Sequence, residues 1–337
     1  MTLLWIDGFD HYSYDQMGDK GYIYSNGTGD IASGFARFSG QGVRNIAPGT
    51  YFFEKVLGAN KSTVYMGIAF QKYEAGAVAY SATVPSFRFK DEDGVTQVRI
   101  NATPTNKFAV YQGDGTLLGT TAVNTYEDQK WHFFEFKITI SATVGVVEIR
   151  KDETTILNLT AQDTKNGSDY IRSVYINGLS NGITTYFDDL YIDDAQFHGN
   201  CRVQVFLPDA DGNSSQFTRS TGSNDYECVD DNPSNDGTDY ISSSTVTNKS
   251  IFGITTGVLG TVKGIQLNNH CRVSEPGLRK ITPVIRSNST DYDGTETGAV
   301  TAGYRFESEI WETDPDDSQV WTQTKLEAAE FGLEVST

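Results

Sequence analysis

Short runs of alternating apolar and polar residues separated by turn residues are the feature that most constrains the fold of this chain. The longest follows Trp131, with Phe134, Phe136, Ile138 and Ile140 on one face and Glu135, Lys137 and Thr139 on the other. A period of two residues is that of a half-buried β-strand. After the turn at residues 141–145, Val147 and Ile149 face inward while Glu148 and Arg150 face outward. Strands at this spacing, without intervening helical patterns, predict an all-β protein with an antiparallel β-sandwich or jelly roll.

The character of the sequence changes near His198. The three cysteines all follow this point, and the polar loops become longer. Near the end, residues 321–332 combine a capping-type Thr, good helix formers and a terminal Gly, which predicts a short helix. We therefore predict a β-sandwich domain over residues 1–198 and a smaller β-rich domain with a short C-terminal helix over residues 199–337.

The run from Ile183 to Asp194 is rich in aspartate. Strict alternation places Asp188 and Asp194 on the same row as Leu190 and Ile192. A carboxylate on a core-facing row needs a partner, because burying an unpaired charge is costly. A bound cation or a backbone N–H group would supply one.

The net charge of −18 argues against nucleic acids and anionic membranes as partners. The first ten residues have no basic segment before their short apolar run, so we expect neither a secretion signal nor a membrane span.

Two stretches carry a family resemblance. Residues 127–140 (EDQKWHFFEFKITI) and 145–149 (GVVEI) resemble the concanavalin A-like lectin/glucanase superfamily, which includes laminin-G-like domains. The resemblance covers residues 1–198 and implies a lectin-like jelly roll.

Three further segments, at residues 3–10, 186–193 and 314–332, look like parts of a tailed-bacteriophage structural protein. That resemblance implies a non-enzymatic virion protein of the capsid or tail, assembled in the host cytoplasm. Residues 199–337 would then serve virion assembly or attachment. The implied partners are other virion proteins, further copies of this chain in a homo-oligomer such as a trimer, and a host-surface glycan. A soluble carbohydrate-binding lectin and a polysaccharide-degrading enzyme are the alternatives.

The lectin resemblance also implies one structural Ca²⁺ between an N-terminal acidic residue and the last strand. Asp7 or Asp10 would be the first ligand, and the others would come from Asp188, Asp189 and Asp194. Oxygen ligands of this kind suit calcium. The alternative is that these aspartates cap turns or accept backbone N–H bonds.

No catalytic residues are predicted. Glucanases of this superfamily place carboxylates along one strand as Glu-x-Asp-x-(x)-Glu, and that pattern is missing from this sequence. The four histidines accompany no Gly-x-Ser-x-Gly motif. We therefore expect a protein that is not an enzyme.

Sugar rings stack on exposed aromatic faces, and a cluster of tyrosines lies near the N-terminus. The candidate glycan-binding residues are Tyr12, Tyr14, Tyr22 and Tyr24. The alternative is that these tyrosines pack against the face of a sheet.

Overall fold

The computed structural model describes residues 2–25, 29–46, 52–73, 84–179, 183–235, 237–257, 260–275, 278–298 and 300–336. The chain divides into two compact units, Thr2–Val203 and Gln204–Thr337. In the described residues, no helix is long and apolar enough to cross a membrane.

Fifteen strands are found in the described residues of the first unit. They are β1 Leu3–Asp7, β2 Tyr22–Tyr24, β3 Asp30–Ala32, β4 Gly42–Ile46, β5 Phe52–Lys61, β6 Thr63–Tyr73, β7 Val84–Lys90, β8 Thr96–Ala102, β9 Phe108–Gln112, β10 Leu117–Thr120, β11 Trp131–Thr139, β12 Gly145–Lys151, β13 Thr154–Gln162, β14 Ile171–Asn177 and β15 Thr184–Asp193. Short 3₁₀ turns at Tyr14–Met17 and Ser33–Phe35 interrupt the early loops.

These strands form two antiparallel sheets. The eight-stranded sheet has the order β13-β12-β11-β6-β15-β4-β3, with β1 paired to β15. The seven-stranded sheet has the order β10-β9-β8-β7-β14-β5-β2. The all-β class and the jelly-roll sandwich predicted from the alternating pattern are therefore confirmed.

The core of the first unit lies between the two sheets. Phe134, Phe136 and Ile138 of β11 are fully buried, as are Val147 and Ile149 of β12, as predicted. Phe136 contacts Phe87 of the opposite sheet, with ring centroids 4.7 Å apart. The alternation of β11 thus buries one row of side chains and turns the other row to the outer face of the sheet.

Strand β15 departs from strict alternation. The pairing with β6 shifts between Asp188 and Tyr191, and Asp189 takes a positive φ of 53°. This bulge moves the core row from Phe187, opposite Phe70, to Leu190 and Ile192. The expectation that Asp188 shares a row with Leu190 and Ile192 is therefore wrong, because the extra residue reverses the direction of the side chains.

The first unit ends five residues later than the predicted boundary at residue 198. The backbone N–H groups of Gly199, Asn200 and Val203 donate to Glu135, Glu153 and Asp189 respectively. These bonds hold residues 199–203 against the first unit, which explains the later boundary.

The second unit contains nine short strands and one helix in its described part. They are β16 Ala210–Ser215, β17 Thr218–Arg219, β18 Ile241–Ser242, β19 Lys249–Gly253, β20 Ile265–Cys271, β21 Lys280–Ser287, β22 Thr290–Asp293, β23 Arg305–Trp311, α1 Gln323–Ala328 and β24 Glu330–Ser336. A five-stranded sheet has the order β16-β19-β24-β21-β22, and β17-β18 and β20-β23 form separate two-stranded ribbons.

The predicted C-terminal helix begins after its cap at Thr322, whose side chain accepts a hydrogen bond from the backbone N–H of Lys325. Leu326 of this helix packs with Trp321 and Phe331 in the core of the second unit. The smaller β-rich unit with its short helix therefore agrees with the expected fold class.

Candidate functional site

The outer face of the eight-stranded sheet carries polar and aromatic side chains that point away from the core. Strand pairing arranges them in four rows across the sheet. The rows are Arg44, Tyr186, Gln71 and Trp131; then Asp188, Ala69 and Phe133; then Tyr191, Gly67, Glu135 and Arg150; then Asp193, Tyr65, Lys137 and Glu148.

A buried acid cluster occupies the middle of this face. The Tyr191 hydroxyl donates to Oε1 of Glu135 at 2.5 Å, and the Gly199 N–H donates to the same oxygen at 2.8 Å. His198 Nε2 lies 2.9 Å from Oδ2 of Asp193. Glu135 and Asp193 are both fully buried, although each comes from an outward row. The chain around residues 198–199 therefore covers the centre of the face.

Electrostatics set the charge states within the acid cluster. Burial, and then the charge and hydrogen bond of Glu135, raise the pKa of Tyr191 far above its usual range. Burial acts to raise the pKa of Asp193, but hydrogen bonds from His198 and two backbone N–H groups outweigh it and lower that pKa. Tyr191 is thus held as a proton donor, and Asp193 is held as a carboxylate.

Glu135 keeps one unused oxygen. Its Oε2 atom is buried and has no hydrogen-bond partner among the described residues. A buried acceptor without a donor is unfavourable, so a side-chain rearrangement that brings a donor to this oxygen would stabilise the acid cluster.

An aromatic patch, defined here as Phe35, Tyr73, Trp131 and Tyr186, lies at one end of the outer face. The rings of Phe35 and Tyr186 stack with centroids 5.4 Å apart and planes 19° apart. The ring centroids of Trp131 and Tyr73 lie 6.4 Å and 6.1 Å, respectively, from that of Tyr186. All four rings retain solvent exposure, and Tyr73 is 37% exposed.

Polar groups border the aromatic patch. The Arg44 guanidinium lies 4.3 Å from the centroid of the Phe35 ring and donates to Asp30 at 3.1 Å. Gln71 stands between Tyr186 and Trp131 in the first row. Flat rings beside amide, guanidinium and carboxylate groups form the kind of surface that binds a sugar ring and its hydroxyls.

The N-terminal tyrosines predicted to bind glycan divide into two pairs. Tyr12 and Tyr22 are buried, and both hydroxyls donate to Oδ2 of Asp7 at 2.9 Å. Their rings offer no open face, so the assignment of these two to glycan binding is corrected. Tyr14 and Tyr24 are partly exposed and meet edge to face, with centroids 5.4 Å apart. A glycan-binding role for this second pair stays a prediction.

Sequence reasoning missed the aromatic patch. Trp131 and Tyr186 occupy outward positions of strands that could be read from alternation, but their pairing across β6 depends on register. Phe35 reaches Tyr186 from a 3₁₀ turn. The only signal available in advance was a large aromatic residue at an outward strand position.

Three of the predicted calcium ligands come together in the structure. Asp10, Asp188 and Asp189 are buried near one another, and each interacts electrostatically with at least one of the others. Asp194 instead pairs with Lys61, with 2.7 Å between Oδ2 and Nζ. Asp7 is bound by its two tyrosines.

N–H donors already occupy the oxygens of two of these aspartates. Asp188 accepts the backbone N–H groups of Arg37 and Asp189, both at 2.8 Å. Asp189 accepts the backbone N–H of Val203 and the Arg37 guanidinium. Within the described ranges, no group of three or more His, Cys, Asp or Glu side chains is arranged to hold a metal ion. The donor set does not fit calcium as it stands, and the calcium site stays a prediction.

The aspartate cluster makes stability depend on pH. Burial, with mutual repulsion, raises the pKa of Asp10 to about 7 and that of Asp188 to about 8. The unfolded chain releases these protons near pH 4, so their contribution to stability is full below that pH and lost as pH rises toward 8. We expect calorimetry of the full chain to show a melting temperature for the first unit that falls between about pH 5 and about pH 8.

The slope of that pH dependence should be smaller in Asp188→Asn, whose side chain does not ionise. The matched control is Asp194→Asn, which should retain the wild-type slope. An identical slope in all three proteins would contradict the assignment of the raised pKa to Asp188.

The predicted calcium site is tested by the same scans at high pH with added calcium. A bound ion would raise the melting temperature of the wild type more than that of Asp188→Asn.

Comparison with solved structures finds several chains with partial similarity to this one. An endo-β-1,4-glucuronan lyase from Trichoderma reesei matches at 12% identity and a TM-score of 0.38, over 51% of this chain and 90% of that one. A GH131 β-glucanase catalytic domain from Podospora anserina matches at 13% identity and a TM-score of 0.38, over 58% and 98%. The lectin UEA-II, complexed with galactose, matches at 10% identity and a TM-score of 0.38, over 56% and 98%.

No model of a known protein family matches the sequence, and no curated protein is similar to it. At identities of 10–13%, the likeness to the three structures concerns the fold alone. The virion role rests on the sequence resemblance.

These matches overturn the expectation that the chain is not an enzyme. That expectation took a lectin-like fold without a one-strand carboxylate motif as evidence against catalysis. The chains that it is similar to include a lyase and a glucanase. Carboxylates on the outer face also come from different strands, with Glu135 on β11 and Asp193 on β15, which a search of single strands misses.

Proposed function

We propose that this chain binds a glycan on the outer face of its eight-stranded sheet, with the aromatic patch as the primary contact. The observation that carries the proposal is the stacked pair of Phe35 and Tyr186, with Trp131 beside it, on a face bordered by Arg44 and Gln71. The lectin and polysaccharide-active enzymes that share the fold support the same class of ligand.

The physical basis is the match between flat aromatic faces and the apolar faces of sugar rings. Stacking removes apolar surface from water, while the sugar hydroxyls bind the polar groups at the border. The rings are held in place before binding, because Tyr186 is fixed between β4 and β6 and Trp131 begins β11. A rigid site loses little conformational entropy when the ligand arrives.

The test is glycan binding by the full chain and its variants, screened on an array and measured by calorimetry for each bound glycan. Losing an aromatic contact of this kind costs about 2 kcal/mol or more, which is about thirtyfold in Kd. We expect Trp131→Ala and Tyr186→Ala each to weaken binding by that factor.

The matched control is Tyr24→Ala, which removes a partly exposed tyrosine from the N-terminal pair. We expect this variant to bind like the wild type. If Tyr24→Ala loses binding while Trp131→Ala keeps it, the site is the one formed by Tyr14 and Tyr24, and our proposal fails.

Cleavage of the bound polysaccharide is the second candidate function. The observation that favours it is Glu135, a buried carboxylate with an unused oxygen on the same face. An assay for new reducing ends, run with the wild type and with Glu135→Gln, tests it. Turnover in the wild type that the substitution abolishes would make the acid cluster an active centre.

A place in a bacteriophage virion, with homo-oligomerisation and a host glycan as ligand, is the finer form of the proposal. The sequence resemblance at residues 3–10, 186–193 and 314–332 supports it. Locating the chain within an intact particle is its test.

A further inference from the structure

We propose that a basic pocket on the outer face binds the anionic group of an acidic sugar, either a carboxylate or a sulfate ester. The pocket is lined by Tyr65, Lys137, Glu148, Arg150, Ala195, Gln196 and Phe197. This inference rests on the proposed function, because it assigns a ligand class to a second part of the same face.

The size of the basic pocket suits part of a sugar chain. Its volume is about 310 Å³, at the lower end of the range of about 300–1,000 Å³ that is usual for small-molecule sites. Tyr65 and Phe197 form an apolar corner, with rings edge to face and centroids 4.9 Å apart. A sugar ring can therefore lie against aromatic surface while its charged group faces the basic side chains.

Lys137 supplies one positive charge. Its Nζ atom lies 5.4 Å from the centroid of the Tyr65 ring, and it has no carboxylate partner among the described residues. Glu148, in the adjacent position on β12, is bound instead by Arg150 and Thr155. The ammonium group is thus available to an incoming anion.

Arg150 supplies the second positive charge in a fixed orientation. Its Nε donates to Oε1 of Glu148 at 2.8 Å, and its guanidinium lies 3.9 Å from the centroid of the Phe197 ring. With Nε bound, the two Nη groups remain, and paired N–H donors of this geometry suit a carboxylate or a sulfate.

The local charge of the basic pocket opposes that of the whole chain. Two cations and one carboxylate give a net charge of +1, whereas the chain carries −18. Screening limits the long-range repulsion to about 8–10 Å in physiological salt. A local pair of cations on an acidic protein therefore favours an anionic ligand that can touch them directly.

The basic pocket and the aromatic patch can serve one ligand. Trp131 and Lys137 lie on the same strand, and their separation of six residues corresponds to about 20 Å. The chain around residues 198–199 covers the face between them, so reaching both requires an oligosaccharide that passes over this segment. We therefore expect longer acidic chains to bind more tightly than single acidic sugars.

The experiment compares an oligouronate, a sulfated oligosaccharide and a neutral oligosaccharide of equal length, each titrated into the full chain. Hydrogen bonds to charged groups contribute about 1.5–3 kcal/mol, which is more than tenfold in Kd. We expect at least one acidic chain to bind the wild type at least tenfold more tightly than the neutral chain. Lys137→Gln and Arg150→Gln should each remove most of that preference.

The matched control is Lys263→Gln, which makes the same change in charge at an exposed site of the second unit. It should keep the preference for the acidic chain. If Lys137→Gln and Arg150→Gln keep it too, the proposal of a basic pocket is overturned, even if Trp131→Ala still loses binding and the proposed function stands. Equal binding of acidic and neutral chains to the wild type also overturns it. Binding of none of the three chains overturns the pocket proposal, while the array decides the proposed function separately.

The two anionic groups are told apart by the acidic arms of the same titration. A preference for the oligouronate that depends on Lys137 assigns the pocket to a carboxylate. A preference for the sulfated chain that depends on Lys137 assigns it to a sulfate ester.

Discussion

Replacing Gly67 with Ala is expected to destabilise the first unit and to break the buried acid cluster. Gly67 lies on β6 between Tyr191 and Glu135, and a Cβ atom at this position would come within 2.0 Å of the Tyr191 ring. Overpacking of this kind costs about 1–3 kcal/mol. Displacing Tyr191 also removes one of the two donors to Oε1 of Glu135, and losing one hydrogen bond costs about 0.5–1.5 kcal/mol more.

Chemical unfolding of the full chain measures this effect, and Gly58→Ala is its matched control. Gly58 lies in strand β5, and a Cβ atom there would meet no other atom within 4 Å. Gly58→Ala should leave stability nearly unchanged. If Gly67→Ala has the same free energy of unfolding as the wild type, the Tyr191 ring does not lie over Gly67.

Truncating Phe136 to Ala should have the other large effect. Phe136 is fully buried between the sheets and contacts Phe87 and Phe108 of the opposite sheet. Removing a buried phenylalanine side chain costs about 3–5 kcal/mol, from lost transfer free energy and from the cavity left behind.

The control for this truncation is Phe38→Ala, which removes the same side chain at a position that is 59% exposed. Its cost should be within about 0.5 kcal/mol, as for most surface substitutions. Equal effects of the two substitutions would place Phe136 outside the core and would contradict the sandwich.

The sandwich was predictable because the period of two residues in β11 and β12 is regular. Phe134, Phe136 and Ile138 face the core as alternation requires, and β12 pairs with β11 without a shift. The short helix near the C-terminus, six residues long, was also predictable, because its cap at Thr322 is a local sequence signal.

The bulge in β15 was not predictable from alternation. It depends on one extra residue near Asp189 and on the long-range hydrogen bonds that hold Asp188 and Asp189 to Arg37 and Val203. Alternation carries no information about partners so distant in the sequence. The prediction for the face of Asp188 failed for that reason.

The candidate site could not be predicted from the sequence for a similar reason. Glu135 was recognisable as outward-facing, but its burial depends on Tyr191 from β15 and on Gly199 beyond the last strand. The aromatic patch likewise joins β11, β15 and a 3₁₀ turn. Sequence patterns describe single strands well, whereas this site is assembled across strands.

The most direct test of the central claim is a crystal structure of the full chain with a bound oligosaccharide, chosen from the ligands that the glycan array identifies. The account predicts a sugar ring stacked on Trp131 or Tyr186 of the aromatic patch. A sugar bound at Tyr14 and Tyr24, or on the second unit, with the outer face empty, would contradict it.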